Sequence, residues 1–232
     1  MAKSAVVIGS TGLVGSNILS MALASGFVHT VTTISRRLPK TTDSALNSVV
    51  DKNTDNWGTT LSELKPPPDI VCSALGTTRT AAGGLANQGK IDRDLNINLV
   101  HVAKTAGTNT YVFVSSGRTG GFLEKWLTYL KMKAEVESAI KQAEFGTGII
   151  LKPGIILGQR EVGRWAEGIA QNVVNGLGLL SSTLRDWLGQ DAEVIARAAI
   201  KAAELAEEGK APDRHWVLDG AEILRLGRAE GM

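Results

Sequence analysis

The chain is poor in the features that fix a protein's class on their own. It has one cysteine, Cys72, in 232 residues. No internal disulfide can form, and a single thiol fits a reducing compartment. No apolar run approaches the roughly 20 residues that span a bilayer. Basic residues exceed acidic ones by only +2, which leaves no electrostatic footprint for nucleic acid. The three histidines, His29, His101 and His215, lack metal-ligand spacing and read as structural. There is no internal repeat or low-complexity tract. Core sequence starts almost at once, so no cleavable targeting peptide is expected. Hydrophobic residues, by contrast, make up 43% of the chain. That suits one domain over residues 1–232 with a single sizeable core.

The most informative stretch is Val6 to Gly15. The β-branched run Val6-Val7-Ile8 reads as a buried strand, and the apolar positions Leu13, Val14, Ile18, Leu19, Ala22 and Leu23 read as a helix. Between them lies Gly9-Ser10-Thr11-Gly12-Leu13-Val14-Gly15. Strand, glycine turn and helix in this order form a candidate dinucleotide-phosphate site. Gly9 permits the sharp strand exit, Gly12 a close pyrophosphate, and Gly15 tight packing of the helix on the sheet. Free N–H groups of the first helical turn would face the phosphates. Thr11 stands where the commonest fingerprint has its middle glycine.

Val28 to Ile34 reads as a second strand and ends in Ser35-Arg36-Arg37. An acidic residue about 20 positions past the glycines would select NAD, whereas arginine accommodates the 2′-phosphate of NADP. Ser35 lies at that distance, and no carboxylate follows until Asp43. NADP(H) is therefore the expected cofactor. Asn47 to Asp51 reads as a third strand, with Asp51 placed to approach the adenine. Lys52 to Glu63 reads as irregular and Pro66-Pro67-Pro68 as a rigid turn. Asp69 to Ala74 is a fourth strand. Ala74, Leu75, Gly76 and Thr77 then fall at a carboxyl strand end, where such folds bind ligands. Thr80 to Gly89 reads as a loop over the site. A helix from Asp92 stops at Gly107, and Tyr111 to Val114 is a fifth strand ending in Ser115-Ser116-Gly117.

The next helix carries Tyr129-Leu-Lys-Met-Lys133. Positions i and i+4 share a helical face, so phenol and ammonium point the same way. A nearby ammonium favours phenolate and brings the tyrosine toward working pH. The other tyrosine, Tyr111, has no lysine four residues on. Gly148 to Leu151 is a sixth strand, after which Pro153, Gly154 and Ile155 could line the nicotinamide. Gln159 to Asn175 reads as helical. Gly176 to Gln190 is glycine- and leucine-rich, suited to local core, a substrate wall or a membrane-touching patch. Asp191 is the expected cap of a helix with Ile195, Ala199, Ala202 and Leu205 on its face. His215 to Leu218 is a late strand and Gly220 to Arg228 a final helix.

With these motifs in place, the chain resembles the atypical short-chain dehydrogenases/reductases. Gly9 to Gly15, Ser35-Arg36-Arg37, Val49-Val50-Asp51, Leu75 to Arg79, Ser115-Ser116, Tyr129 to Lys133 and Lys152-Pro153-Gly154 fall in that family's order. Thr77 to Gly84, Lys90 to Asn96 and Ile223 to Gly227 resemble the Tat-interacting branch, and within it the fungal relatives of the mitochondrial proteome. The segment between Ser116 and Tyr129 is longer and more apolar than in that branch. Neither Asn96 nor Asn98 registers cleanly on the asparagine that some extended members use.

The resemblance implies an α/β fold: a Rossmann-like doubly wound parallel sheet with a small C-terminal substrate lobe, about residues 155–232. It implies Tyr129 as proton donor to a substrate carbonyl and Lys133 as ligand of the nicotinamide ribose. Ser116 would hydrogen-bond the carbonyl, with Ser115 as the substitute. The expected function is NADPH-dependent reduction of a small carbonyl substrate. A cofactor-gated regulator or scaffold is the alternative, and an epimerase or dehydratase using the cofactor transiently is a weaker third. The fungal resemblance implies peripheral association with the cytosolic face of the mitochondrial outer membrane, or else a cytoplasmic protein. No nucleic-acid partner is expected, and the sequence leaves the oligomeric state open.

Overall fold

Val6, Val7 and Ile8 are buried on both faces of the sheet and form the centre of β1 (Lys3–Ile8). Such a strand suits the middle of a parallel sheet with helices on either side. The computed structural model describes residues 3–117, 123–157 and 189–228. After β1 the elements run α1 (Leu13–Ala24), β2 (Val28–Ser35), β3 (Leu46–Val50), α2 (Trp57–Glu63), β4 (Ile70–Ser73), α3 (Arg79–Ala82), α4 (Leu85–Gly89), α5 (Asn96–Ala106), β5 (Thr110–Val114) and α6 (Leu123–Ala143). The chain continues with β6 (Thr147–Leu151), β7 (Ile155–Leu157), β8 (Gly189–Asp191), α7 (Ala192–Glu207), β9 (His215–Leu218) and α8 (Gly220–Arg228).

The main sheet has the order β3-β2-β1-β4-β5-β6-β9, and every pairing in it is parallel. The chain winds outward from β1 to β3, returns to β4 beside β1, and winds outward the other way. This is the Rossmann-like doubly wound sheet expected from the sequence, with its switch point between β1 and β4. Alternation along β1 divides the core. Ala5 and Val7 join Ile18, Leu19, Ile195 and Ala199 beneath α1, α7 and α8. Val6 and Ile8 join Trp57, Leu99, Phe113 and Val136 beneath α2, α5 and α6. Cys72 lies in β4 between these layers, fully buried, and burial pushes its thiol up to about 12. A separate parallel pair, β7 with β8, connects the exit of β6 to the start of α7.

Three local expectations change. Lys52 to Glu63 is ordered: Asn53 caps a 3-10 turn at Thr54–Asn56, and α2 follows with Trp57 and Leu61 buried one turn apart. Thr80 to Gly89 is two short helices. Thr78 caps the first through the Ala81 N–H, and left-handed Gly83 ends it. Asp191 occupies the N-cap position of α7, but its side chain makes no capping bond. The helix expected at 159–175 and the segment at 176–188 lie outside the described residues.

The amino ends of the strands are tied by polar contacts. Lys3 Nζ pairs with Asp69 Oδ1 at 3.3 Å and with Glu207. Asp69 Oδ2 accepts the Ser4 N–H at 2.9 Å, and Glu207 Oε1 accepts the Thr110 hydroxyl at 2.6 Å.

Helix α7 reaches this depth because its buried face is largely alanine, including Ala196, Ala199, Ala202 and Ala203. Gly227 of α8 rests against the Val194 carbonyl, where a Cβ would overlap that oxygen. Gly227→Ala should therefore lower stability by about 1–3 kcal/mol, the usual cost of overpacking. Urea unfolding should show a lower midpoint at an unchanged slope. An unshifted midpoint would mean that the two helices are not packed this closely.

Candidate functional site

The glycine turn departs from the carboxyl end of β1 at the switch point. Gly9 has φ +81°, and a Cβ there would stand 2.8 Å from the Ala74 carbonyl oxygen. The Gly12 N–H closes the turn on the Gly9 carbonyl at 2.9 Å. A Cβ on Gly15 would overlap the same carbonyl, so α1 can lie this close to the turn only with glycine there. Gly12 is the N-cap of α1, without a capping side chain, and the first turn through Leu13, Val14 and Gly15 carries no carboxylate. Ser10 is fully buried in the turn, and its hydroxyl has no hydrogen-bond partner among the described residues. Open amide donors, an unpartnered buried hydroxyl and the absence of negative charge fit a phosphate group. Thr11 and Gly12 complete the rim.

The end of β2 presents Ser35, Arg36 and Arg37. Ser35 is buried and donates to the Arg37 carbonyl at 2.6 Å, shaping the turn that leaves both arginines exposed. Asp51 follows β3, and its carboxylate is engaged locally. It accepts the Asn53 N–H and the Asn56 amide, each at 2.8 Å. These bonds, the Asn56 one foremost, hold its carboxyl below the usual range.

The end of β4 leads into Ala74, Leu75, Gly76 and Thr77. This segment is held by a polar cluster on a six-residue π-turn, Lys90–Leu95, that precedes α5. Asp92 Oδ1 accepts the Thr77 N–H at 2.7 Å, and Asp92 Oδ2 accepts from the Gln88 amide at 3.1 Å. The same Gln88 amide donates to the Thr77 carbonyl at 3.2 Å. Asn96 donates to the carbonyls of Ile91 and Asp92 and accepts the Ser73 hydroxyl at 2.8 Å. A wide turn disturbs the regular helical bonding, and this side chain partners carbonyls within it.

The ends of β5 and β6 converge beside this segment. The Gly117 N–H donates to the Pro153 carbonyl at 2.6 Å, which sets Pro153-Gly154 against Ser115-Ser116. Ser115 is buried and its hydroxyl donates to Glu137 Oε1 at 2.5 Å, while Glu137 Oε2 pairs with Lys152 at 2.8 Å. Ser116 is half-buried, and its hydroxyl makes a 3.4 Å contact to the Gly117 carbonyl. The Ile155 backbone begins β7, next to this junction.

Above the junction lies Lys133 of α6, with only 3% of its surface exposed. Its ammonium donates to the carbonyls of Val114 at 3.1 Å and Leu75 at 3.4 Å. It lies 4.5 Å from the centre of the Phe113 ring and 5.8 Å from that of Tyr129. Burial pushes this lysine down to about 8, against the opposing pull of Asp92 and Glu137. The structure thus brings Tyr129, Lys133, Ser116, Leu75 to Thr77 and Pro153-Gly154 to one end of the sheet, beside the glycine turn. Asp92, Gln88 and Glu137 were not singled out from sequence, and Asn96 was weighed there without a role. A signal for three of these was present: Gln88, Asp92 and Asn96 recur every fourth residue, and all three are buried.

A family model described as NAD(P)H-binding matches residues 9–173. "Protein FMP52, mitochondrial" of Chaetomium globosum is 48% identical over 228 residues, with 98% of each chain covered. "Protein fmp-52, mitochondrial" of Neurospora crassa is 52% identical over 232 residues, covering 98% of this chain and 96% of the relative. Among solved structures, a short-chain dehydrogenase/reductase of Saccharomyces cerevisiae superposes with TM-score 0.68 at 16% identity, covering 97% of this chain and 99% of that one. The Bordetella bronchiseptica enzyme WbmF in complex with NAD+ does so with TM-score 0.66 at 15% identity, covering 97% and 76%. At such identities the structural likeness speaks for the fold, while the fungal relatives match along nearly the whole chain. With an NAD(P)-binding turn and a Tyr-Lys pair on a Rossmann-like sheet, the chain belongs to the FMP52 family of atypical short-chain dehydrogenases/reductases.

Proposed function

We propose that the protein reduces a small carbonyl substrate with NADPH, using Tyr129 as the proton donor. The observation that carries this reading is the buried Lys133 ammonium, anchored to two strand-end carbonyls on the helix that bears Tyr129. The reduced nicotinamide, when bound, supplies the hydride. Ser10 and the first-turn amides of α1 hold the pyrophosphate. Arg36 and Arg37 receive the 2′-phosphate, and Pro153, Gly154 and Ile155 flank the nicotinamide. Ser116 donates a hydrogen bond to the substrate carbonyl oxygen. We favour it over Ser115, whose hydroxyl is committed to Glu137. Tyr129 gives its proton to the carbonyl oxygen as the carbonyl carbon is reduced. The phenolate left behind is stabilised by the Lys133 ammonium.

Cofactor choice follows from the two exposed arginines at the end of β2, in a stretch of chain with no carboxylate before Asp43. Charge-assisted hydrogen bonds contribute about 1.5–3 kcal/mol each. NADP should therefore bind at least about tenfold more tightly than NAD. Fluorescence titration of both cofactors, repeated on an Arg36→Ala/Arg37→Ala variant, checks this. Equal affinities in the wild type would contradict the assignment.

Tyr129→Phe retains the ring and removes the proton. Turnover should fall by about 10²–10⁴-fold, the usual contribution of general acid catalysis, at nearly unchanged NADPH affinity. A carbonyl library screened for NADPH oxidation supplies the substrate. Wild-type turnover by this variant would remove Tyr129 from the reaction. Tight NADPH binding with no turnover of any carbonyl, together with an altered affinity for a partner protein, would favour the regulator instead. Lys133 is charged below about 8 and neutral above it. Cofactor affinity should accordingly decline as pH rises through that value, and Lys133→Met should abolish the dependence.

The word mitochondrial in the relatives' names supports a location at the mitochondrion, and we place the chain peripherally on the cytosolic face of the outer membrane. No described helix is long and apolar enough to cross a membrane. Carbonate should release the protein from isolated mitochondria, and external protease should reach it. Protease protection inside the matrix would refute the assignment.

A further inference from the structure

Asp92 is completely buried, and a carboxylate in that position is strongly disfavoured unless it is paired. Its neutral partners are the Thr77 N–H at 2.7 Å and the Gln88 amide at 3.1 Å. Gln88 also holds the Thr77 carbonyl, so this residue is grasped at both of its backbone polar atoms. From the other side, Lys133 holds the Leu75 carbonyl of the same short segment. Gly76 lies between these grips. A Cβ placed on it would stand 3.8 Å from Asp92 Oδ1 and 3.9 Å from Lys133 Nζ. Both charged groups thus border the space left open by the missing side chain of this glycine.

The groups around Lys133 make Asp92 its open counter-charge. On α6 itself, Tyr129 offers a ring and Glu137 a carboxylate, but Glu137 is already engaged by Ser115 and by Lys152 beyond β6. Strand β5 contributes the uncharged Phe113 ring and the Val114 carbonyl. The extension of β4 contributes the Leu75 carbonyl.

We propose that Asp92 is a positioning residue of this site, the counter-charge that keeps Lys133 protonated and seated against the Leu75–Thr77 segment. The functional weight of this pair rests on the reading of Lys133 as a cofactor-binding group. Burial acts on the two residues in opposite senses, raising the aspartate and lowering the lysine, and each opposes that effect in the other. Such coupling is reciprocal by thermodynamic necessity.

The test follows both titrations in the full-length chain by carbon NMR. Lysine labelled at Cε reports Lys133, assigned by the signal lost in Lys133→Met. Aspartate labelled at Cγ reports Asp92, assigned by the signal lost in Asp92→Asn. In Asp92→Asn, where the amide oxygen can still accept the Thr77 N–H, the Lys133 midpoint should move down by a pH unit or more. The alkaline decline in NADPH affinity should move with it. In Lys133→Met, the Asp92 midpoint should move up. A purely structural Asp92 would weaken binding at every pH and leave the Lys133 midpoint in place, which would overturn the proposal. Should Asp92→Asn fail to fold, an unmoved Asp92 titration in Lys133→Met would overturn it equally. A shifted Lys133 midpoint with NADPH affinity indifferent to pH would uphold the charge pair and reject Lys133 as a cofactor ligand.

Discussion

A lysine ammonium removed from water needs hydrogen-bond acceptors and a negative neighbour, and the upper half of this molecule is arranged to supply them to Lys133. The acceptors are the carbonyls of Val114, the last residue of β5, and of Leu75, two residues past β4. They are available because β4 and β5 lie side by side and end at the same level. The negative field comes from Asp92, whose place depends on a π-turn entering α5 and on the side chain of Asn96 within that turn. The anchored ammonium in turn fixes how α6 lies across the sheet, and with it where Tyr129 stands. The Leu75–Thr77 segment, the π-turn and the helix bearing Tyr129 are therefore linked by one buried charge.

The two ends of the sheet are treated differently. At the amino ends, Lys3, Asp69, Glu207 and Thr110 close on one another and join the first, fourth and fifth strands to the end of α7. At the carboxyl ends the strands open into glycine turns and short connections whose polar groups face inward. Ser10 keeps a hydroxyl there without a partner among the described residues.

Much of this was readable from the residue order, because local rules governed it. Val6-Val7-Ile8 followed by glycines at a spacing of three made strand, turn and helix inevitable, and Tyr129 with Lys133 required only helical periodicity. Strand ends came within about a residue of their observed positions, as at β4 and β6. Helix α2 escaped notice because its signal is only Trp57 and Leu61 amid polar residues, and its burial against α5 is a long-range fact. The short helices at Arg79–Gly89 depend on a threonine cap and on positive φ at Gly83, which composition alone reads as loop. Asp92 and Glu137 were passed over for a different reason. A carboxylate on a helix ordinarily faces solvent, and only the fold shows which ones turn inward. The resemblance already placed Ser116 ahead of Ser115, and a physical reason for that order comes only from the Glu137 contact, 22 residues along the chain from Ser115.

The single thiol has a further consequence. Cys72 sits in the strand beside the switch point, sealed in the core layer beneath α1 and α7, with its ionisation suppressed by burial. Thiolate, not thiol, is the reactive species, so an alkylating reagent finds nothing to attack while the sheet is intact. Modification then has to wait for β4 to part from its neighbours, and its rate counts those partings. The chain thus carries its own clock for the opening of the sheet, with no second thiol to confuse the reading.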